Sequence, residues 1–220
     1  MATPAITEPL RAVGETLDTE LKRWLDLNDE KNGALFAKAA LALRNNNGGR
    51  LIIGVDDRTN AGITFPNPLG DIRQAYHPDK LNEIVGKYAL QKFEVRVDFK
   101  EYQGQLHPEI IIAGGITTPV LTRRGFADVL RQNAIYIRTI SKGRVSSCEP
   151  VTAADWERLL SICFDNREAE IGRFVSRYLP AIVDELGLKP ASPKPTSIDL
   201  AKEFLETGRK YLDASEGAPT

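Results

Sequence analysis

The spacing of apolar positions changes character along the chain, and each change marks an element. TELKRWL, from Thr19 to Leu25, reads as a strand with Glu20, Lys22 and Trp24 on one side. From about Asp29 to Asn45 the period lengthens: Leu35, Phe36, Ala39, Ala40 and Leu43 recur at helical spacing. Asn28 or Asp29 is available to cap that helix, and the Asn-Asn-Asn-Gly-Gly run at 45–49 is its stop. RLIIGV then forms a short continuous apolar run, as buried central strands do, and a polar turn follows from Asp56 to Asn60.

Beyond a Pro-rich loop at 64–70, Pro78 to Leu90 reads as a second helix. FEVRVDF, at 93–99, alternates with Phe93, Val95, Val97 and Phe99 inward, as a half-exposed strand does. EIIIA at 109–113 and AIYIRTI at 134–140 are further strands. From Thr152 the pattern is helical throughout. Trp156, Leu159, Leu160 and Cys163 form one stripe; Ile171, Phe174, Val175, Tyr178, Leu179, Ile182, Val183 and Leu186 form a longer one. The longer stripe reads as core packing, with dimerisation the lesser reading, and Pro180 is expected to kink its helix.

The fold class that follows is α+β: a mixed β-sheet packed with helices, then a C-terminal helical segment. The expected organisation is a main domain at 15–148, a helical extension at 152–186, a Pro-rich linker at 187–197 and a terminal amphipathic helix at 198–213.

Composition narrows the function classes. Of the 220 residues 42% are hydrophobic and 27% charged, as in ordinary globular proteins, and no apolar run reaches the roughly 20 residues a membrane span needs. The N-terminal stretch lacks the basic start and apolar run of a secretory signal, and Cys148 and Cys163 have neither metal-ligand nor redox spacing. A cytoplasmic protein is expected. Net charge is −1, which argues against a globally basic nucleic-acid binder. Yet within 117–144 six cations (Arg123, Arg124, Arg131, Arg138, Lys142, Arg144) face one acid, Asp128. Such a strip suits a phosphate backbone, although a solvated face balanced by acids elsewhere has the same composition. No phosphate-binding G-x-x-x-x-G-K-[ST] loop and no dinucleotide fingerprint occurs, which argues against nucleotide hydrolysis.

The candidate chemistry starts at GETLDTELKRW, residues 14–24. Glu15 and Glu20 stand five apart, a spacing that no single helix or strand brings to one face, so they converge only if the chain turns near Leu17 and Asp18. Asp56 and Asp57 follow the apolar strand, where an Asx-type turn is the bland explanation.

Glu15, Glu20, Leu21 and Lys22, then Asn46, Gly48 and Gly49, then Gly54-Val55-Asp56-Asp57, and late in the chain Tyr136-Ile137-Arg138, together resemble the Schlafen AlbA-type family. The resemblance runs from about Glu15 to Val145; Leu21 stands where an aromatic is usual, and Asn47 departs from the pattern before the glycines. It implies a nucleic-acid-binding protein, with divalent-metal-dependent endoribonuclease activity on structured RNA such as tRNA. The catalytic and metal-holding residues carried over are Glu15, Glu20 and Asp57, with Mg²⁺ or Mn²⁺ as cofactor. Lys22, two positions from Glu20, is the candidate to hold the attacking water or the phosphate. Arg123, Arg124, Arg138, Lys142 and Arg144 are the expected nucleic-acid contacts, to RNA or DNA. Larger members pair two such lobes across a basic groove, so a homodimer is expected, in a toxin-like or antiviral role. The alternatives are a non-catalytic DNA- or RNA-binding regulatory or recruiting domain, and a protein–protein adaptor.

Overall fold

The computed structural model describes residues 15–55, 66–102, 104–141, 144–150 and 152–185. Asp57, Lys142, the expected linker and the expected terminal helix lie outside the described residues. The chain divides into two compact units, Met1–Ile171 and Gly172–Thr220.

The fold is α+β. Strand β1 (Thr19–Lys22) is followed by helix α1 (Glu30–Asn45) and strand β2 (Gly49–Ile53). Helices α2 (Ile72–Ala75) and α3 (Pro78–Tyr88), strands β3 (Val95–Tyr102), β4 (Gln105–Ile112), β5 (Ile137–Ser141) and β6 (Arg144–Cys148), and helix α4 (Ala153–Glu185) complete the order. The main sheet runs β1-β2-β4-β3, and β5 and β6 form a separate antiparallel hairpin. Among the described residues only the β1–β2 pairing is parallel, and α1 supplies the crossover such a pairing demands.

Helix α1 begins where Asp29 accepts the Lys31 N–H. Its Ala-rich sequence lets neighbours approach closely on several sides at once. Strand β2, helix α3 and the β5–β6 hairpin all contact it, so Phe36, Leu41 and Leu43 are buried with most of the alanines. The asparagines after it do more than stop a helix. Buried Asn45 bonds Val120 through both its carbonyl and its amide, and also the Tyr136 carbonyl (2.8–2.9 Å), pinning the long 113–136 connection over the helix end. Asn47 takes a left-handed φ of 70°, which an asparagine tolerates, and accepts the Gly115 N–H.

Several expectations shift. Two short elements, α2 and β6, appear where neither periodicity nor β-propensity announced them. His77 caps α3 by accepting the Asp79 N–H, whereas His107 lies inside β4 with its ring fully buried between the Ile53 carbonyl (2.9 Å) and Gln105 (3.2 Å). The first C-terminal stripe splits: Leu159 and Cys163 are buried, but Trp156 and Leu160 are exposed. The second stripe belongs to the same 33-residue helix, which continues through Pro180. Its apolar residues are not core: Ile171, Phe174, Val175, Tyr178, Leu179 and Ile182 are all exposed.

Candidate functional site

The site is built at the open edge of the main sheet, on β1. Ahead of it the chain turns tightly: Thr16 N–H donates to the Thr19 carbonyl (3.0 Å) and the Thr16 hydroxyl bonds Asp18. Two distant segments hold this turn. Asn46 donates to the Leu17 carbonyl (2.8 Å), and Arg50 N–H donates to the Asp18 carbonyl (2.8 Å). Gly49 is required here, because a Cβ on it would collide with that same Asp18 carbonyl. The turn reverses the chain so that Glu15 reaches back along β1, where its Oε1 accepts the Leu21 N–H (3.3 Å).

Glu20 points away from Leu21, towards the hairpin. Its side chain is 2% exposed, yet each of its oxygens has a partner. Oε1 pairs with the Lys22 ammonium (2.7 Å); Oε2 pairs with Arg138 Nη1 (3.0 Å) and accepts the Ser147 hydroxyl (2.7 Å). Arg138 and Ser147 face each other across β5 and β6, so one rung of the hairpin presents both to the same carboxylate. Nη2 of Arg138 donates to the carbonyls of Thr16 (2.9 Å) and Thr19 (3.0 Å), and lies 3.9 Å from Glu15 Oε1.

These contacts also solve the edge-strand problem. An edge strand presents backbone groups with no neighbouring strand to bond. On β1, Glu15 takes the Leu21 N–H and Arg138 takes the Thr19 carbonyl. The two acids therefore converge on one guanidinium, as the odd spacing of GETLDTELKRW requires.

The two carboxyls differ in charge balance. Burial works against ionisation of Glu20, but Lys22 and Arg138, helped by the Lys22 and Ser147 hydrogen bonds, together hold its carboxyl below the usual range. Glu15 goes the other way: burial pushes its carboxyl up, and the attraction of Arg138 and Lys22 does not compensate. Burial thus disfavours the ionised form of Glu15, whereas the partners of Glu20 more than offset its burial.

Arg138 was expected among the nucleic-acid contacts, but it is 1% exposed and its guanidinium faces inward. It belongs to the carboxylate site and not to an exposed basic strip. Arg123 and Arg124 are exposed; Arg124 pairs with Glu30 (3.2 Å), and Arg123 has no ion pair among the described residues. Arg131 pairs with Glu149. For Arg144 only the backbone, in β6, is described, and Asp57 and Lys142 lie outside the described residues. Among the described residues no group of three or more His, Cys, Asp or Glu side chains is placed to hold a metal ion. Nor is any helix among them long and apolar enough to cross a membrane.

Sequence reasoning missed Ser147 and the inward role of Arg138, and it named Asn46 in the motif without its hold on the turn through the Leu17 carbonyl. Only strand parity carried a signal for Arg138: it shares a face with Ala134 and Tyr136, both buried.

Comparison with known proteins places the chain. The fold is similar to that of the DIP2311 protein from Corynebacterium diphtheriae, at 16% identity and a TM-score of 0.46, over 68% of this chain and 26% of that one. This chain thus spans about a quarter of DIP2311. It is also similar to the N-terminal domain of a RecG-related protein from Nitrosomonas europaea, at 18% identity and a TM-score of 0.40, over 66% and 91% of the two chains. The curated proteins contain no match. The sequence profile of the family described as Schlafen, AlbA_2 matches residues 15–144, from the first acid of the site to the first residue of β6. The chain belongs to the Schlafen AlbA_2 family.

Proposed function

We propose that this protein binds nucleic acid and cleaves RNA at the Glu15–Glu20 site with the aid of a divalent metal ion. The observation that carries the reading is the convergence of two carboxylates on the single guanidinium of Arg138, at 3.0 and 3.9 Å. The donor set fits a hard cation in kind. Glu15 is the sparsely bonded acid, its Oε1 accepting the Leu21 N–H at 3.3 Å and lying 3.9 Å from Arg138, and carboxylate oxygens are the ligands that Mg²⁺ and Mn²⁺ take. Glu15, Glu20 and Asp57 would hold the ion. Bound there, it would activate a water and neutralise charge developing at the scissile phosphate.

The chain's own residues have separate tasks in this reading. Arg138, fixed by two carbonyls and a hydroxyl, orients Glu20 and stays inside. Lys22, whose side chain is 26% exposed, is the cation at the mouth of the site and holds a phosphate oxygen there. Arg123 and Arg124, exposed on the connection between β4 and β5, contact the backbone of the nucleic acid, with Lys142 and Arg144 adding to the same salt-sensitive attraction.

A second reading, a non-catalytic nucleic-acid-binding module, is favoured by one observation: Lys22, Arg138 and Ser147 already engage both oxygens of Glu20. One experiment separates the two. End-labelled tRNA, single-stranded RNA and DNA are incubated with the protein in Mg²⁺ or Mn²⁺, beside a Glu15→Gln variant whose fold is checked by its circular dichroism. The nuclease reading expects metal-dependent RNA cleavage that falls about 100-fold or more in the variant, the scale on which losing a catalytic group acts, with RNA affinity retained. Binding of RNA without cleavage in either metal assigns the protein to the second reading, and equal cleavage by the variant overturns the Glu15–Glu20 site as the place where cleavage occurs.

A further inference from the structure

Helix α4 presents six large apolar side chains to solvent within twelve residues: Ile171, Phe174, Val175, Tyr178, Leu179 and Ile182 are each between 43% and 60% exposed. Their spacing of three and four places them on one stripe, about 140° wide at 100° per residue, the width of a helix face made for burial. Phe174 and Tyr178 already pack ring on ring, with centroids 4.8 Å apart. Pro180 falls on the opposite side of the helix, so the N–H it lacks leaves the stripe uninterrupted. An apolar surface this continuous marks an interaction site.

We propose that this face pairs with the same face of a second copy, the two α4 helices running antiparallel about a two-fold axis between Gly172 and Arg173. The helix is self-complementary in that orientation. Ile171 meets the partner's Phe174, and bulky Phe164 meets the small side chain of the partner's Ala181. Arg167, which shares the stripe with Glu168, comes over the ring of the partner's Tyr178, a cation–π pair. On the flank, Glu170 faces the partner's Arg177, and the two-fold axis makes that ion pair twice.

The parallel arrangement loses all of this. It stacks Arg167 on the partner's Arg167 and leaves Glu170 beside an apolar side chain. A lipid surface is disfavoured by charge: Asp165, Glu168 and Glu170 balance Arg167, Arg173 and Arg177 along the helix, whereas surface-seeking helices are predominantly basic on their polar face.

The test uses the full chain and measures its mass in solution by sedimentation across a concentration series. A dimer is expected, with Phe174→Glu shifting it at least 10-fold towards monomer while its thermal melt stays unchanged. Arg177→Glu alone is expected to weaken the dimer several-fold by setting two acids against each other. Glu170→Arg combined with Arg177→Glu restores it, because the swapped pair is again opposite in sign. A monomeric full chain overturns the proposal, and would fit coverage of the face by the chain's own 198–213 segment. A dimer indifferent to Phe174→Glu, or a double variant no better than Arg177→Glu, overturns it equally.

Discussion

Two glutamates of the main sheet are nearly withdrawn from water, and each faces two cations. Glu109, on β4, is held by Arg50 (3.3 Å) and Lys100 (3.2 Å), whose side chains are both 48% exposed. Glu20, on β1, is held by Lys22 and Arg138, and Arg138 is as buried as the acid it serves. The charge count is the same, but the consequences differ. At Glu109 two long side chains reach in from solvent, and water can replace either of them. At Glu20 the guanidinium is fixed by backbone carbonyls and a hydroxyl, so neither partner can leave without stranding the other. A second acid, Glu15, joins only the Glu20 cluster. An ion-pair network that decorates a sheet can thus be told from a site by asking which charges have water as an alternative.

The largest expected effect breaks this comparison if it fails. Arg138→Ala leaves a buried carboxylate, two carbonyls and a hydroxyl without their partner, and is expected to cost about 3–5 kcal/mol. Arg50→Ala removes a half-exposed partner and is expected to cost about 1 kcal/mol or less. Urea unfolding of the two variants measures both. Equal losses would mean that burial of Arg138 adds nothing, and that the two clusters are one kind of feature.

The sequence made part of this contrast legible. The odd spacing of Glu15 and Glu20 forced a turn, and a turn at Thr16–Thr19 is what the chain builds. Asp29, the Ala-rich run and the glycines after it specified α1 and its end, because capping and periodicity are local. Arg138 was not legible in the same way. Its partners Thr16, Thr19 and Glu20 lie at the other end of the domain, and a count of basic residues cannot tell a guanidinium facing phosphate from one facing a carboxylate. Strand β6 was missed because RVSSC has little apolar alternation; its pairing comes from the hairpin with β5. The stripe on α4 was read correctly as amphipathic but wrongly as core, since periodicity reports that a face is to be covered and not by what.

Intermediate effects come from the two acids of the site, which should move stability in opposite directions. Glu20 has its carboxyl held low by Lys22 and Arg138 despite its burial, so its contribution is complete above the ordinary value of 4.5 and is lost as pH falls through the folded-state value. Glu15 is raised by burial, so its ionised form costs stability at neutral pH, a cost that is relieved as pH falls through its folded-state value. At pH 7, Glu20→Gln is therefore expected to lower the melting temperature and to flatten the acid limb of the stability curve. Glu15→Gln, which keeps an oxygen for the Leu21 N–H, is expected to raise it. A drop in both would show Glu15 to be a structural acid like Glu20, and would count against its being an acid kept open for a metal ion.

The smallest effect lies at the other cluster and the other end of the pH scale. The hydrogen bond to Glu109 and its charge raise the Lys100 ammonium above its ordinary 10.5. The stability this pair contributes is then fully present below 10.5 and is lost as pH rises through the folded-state value. Because Lys100 stands half in water, the loss is expected to be a few tenths of a kcal/mol, the range of an exposed pair. Lys100→Gln should remove that alkaline limb. If Glu20→Gln also removed the part of the alkaline limb that Lys100→Gln removes, the Glu20 and Glu109 clusters would be electrostatically coupled through the sheet. Arg50, whose side chain bonds both Glu109 and the Thr19 hydroxyl of β1, is the residue through which that coupling would pass.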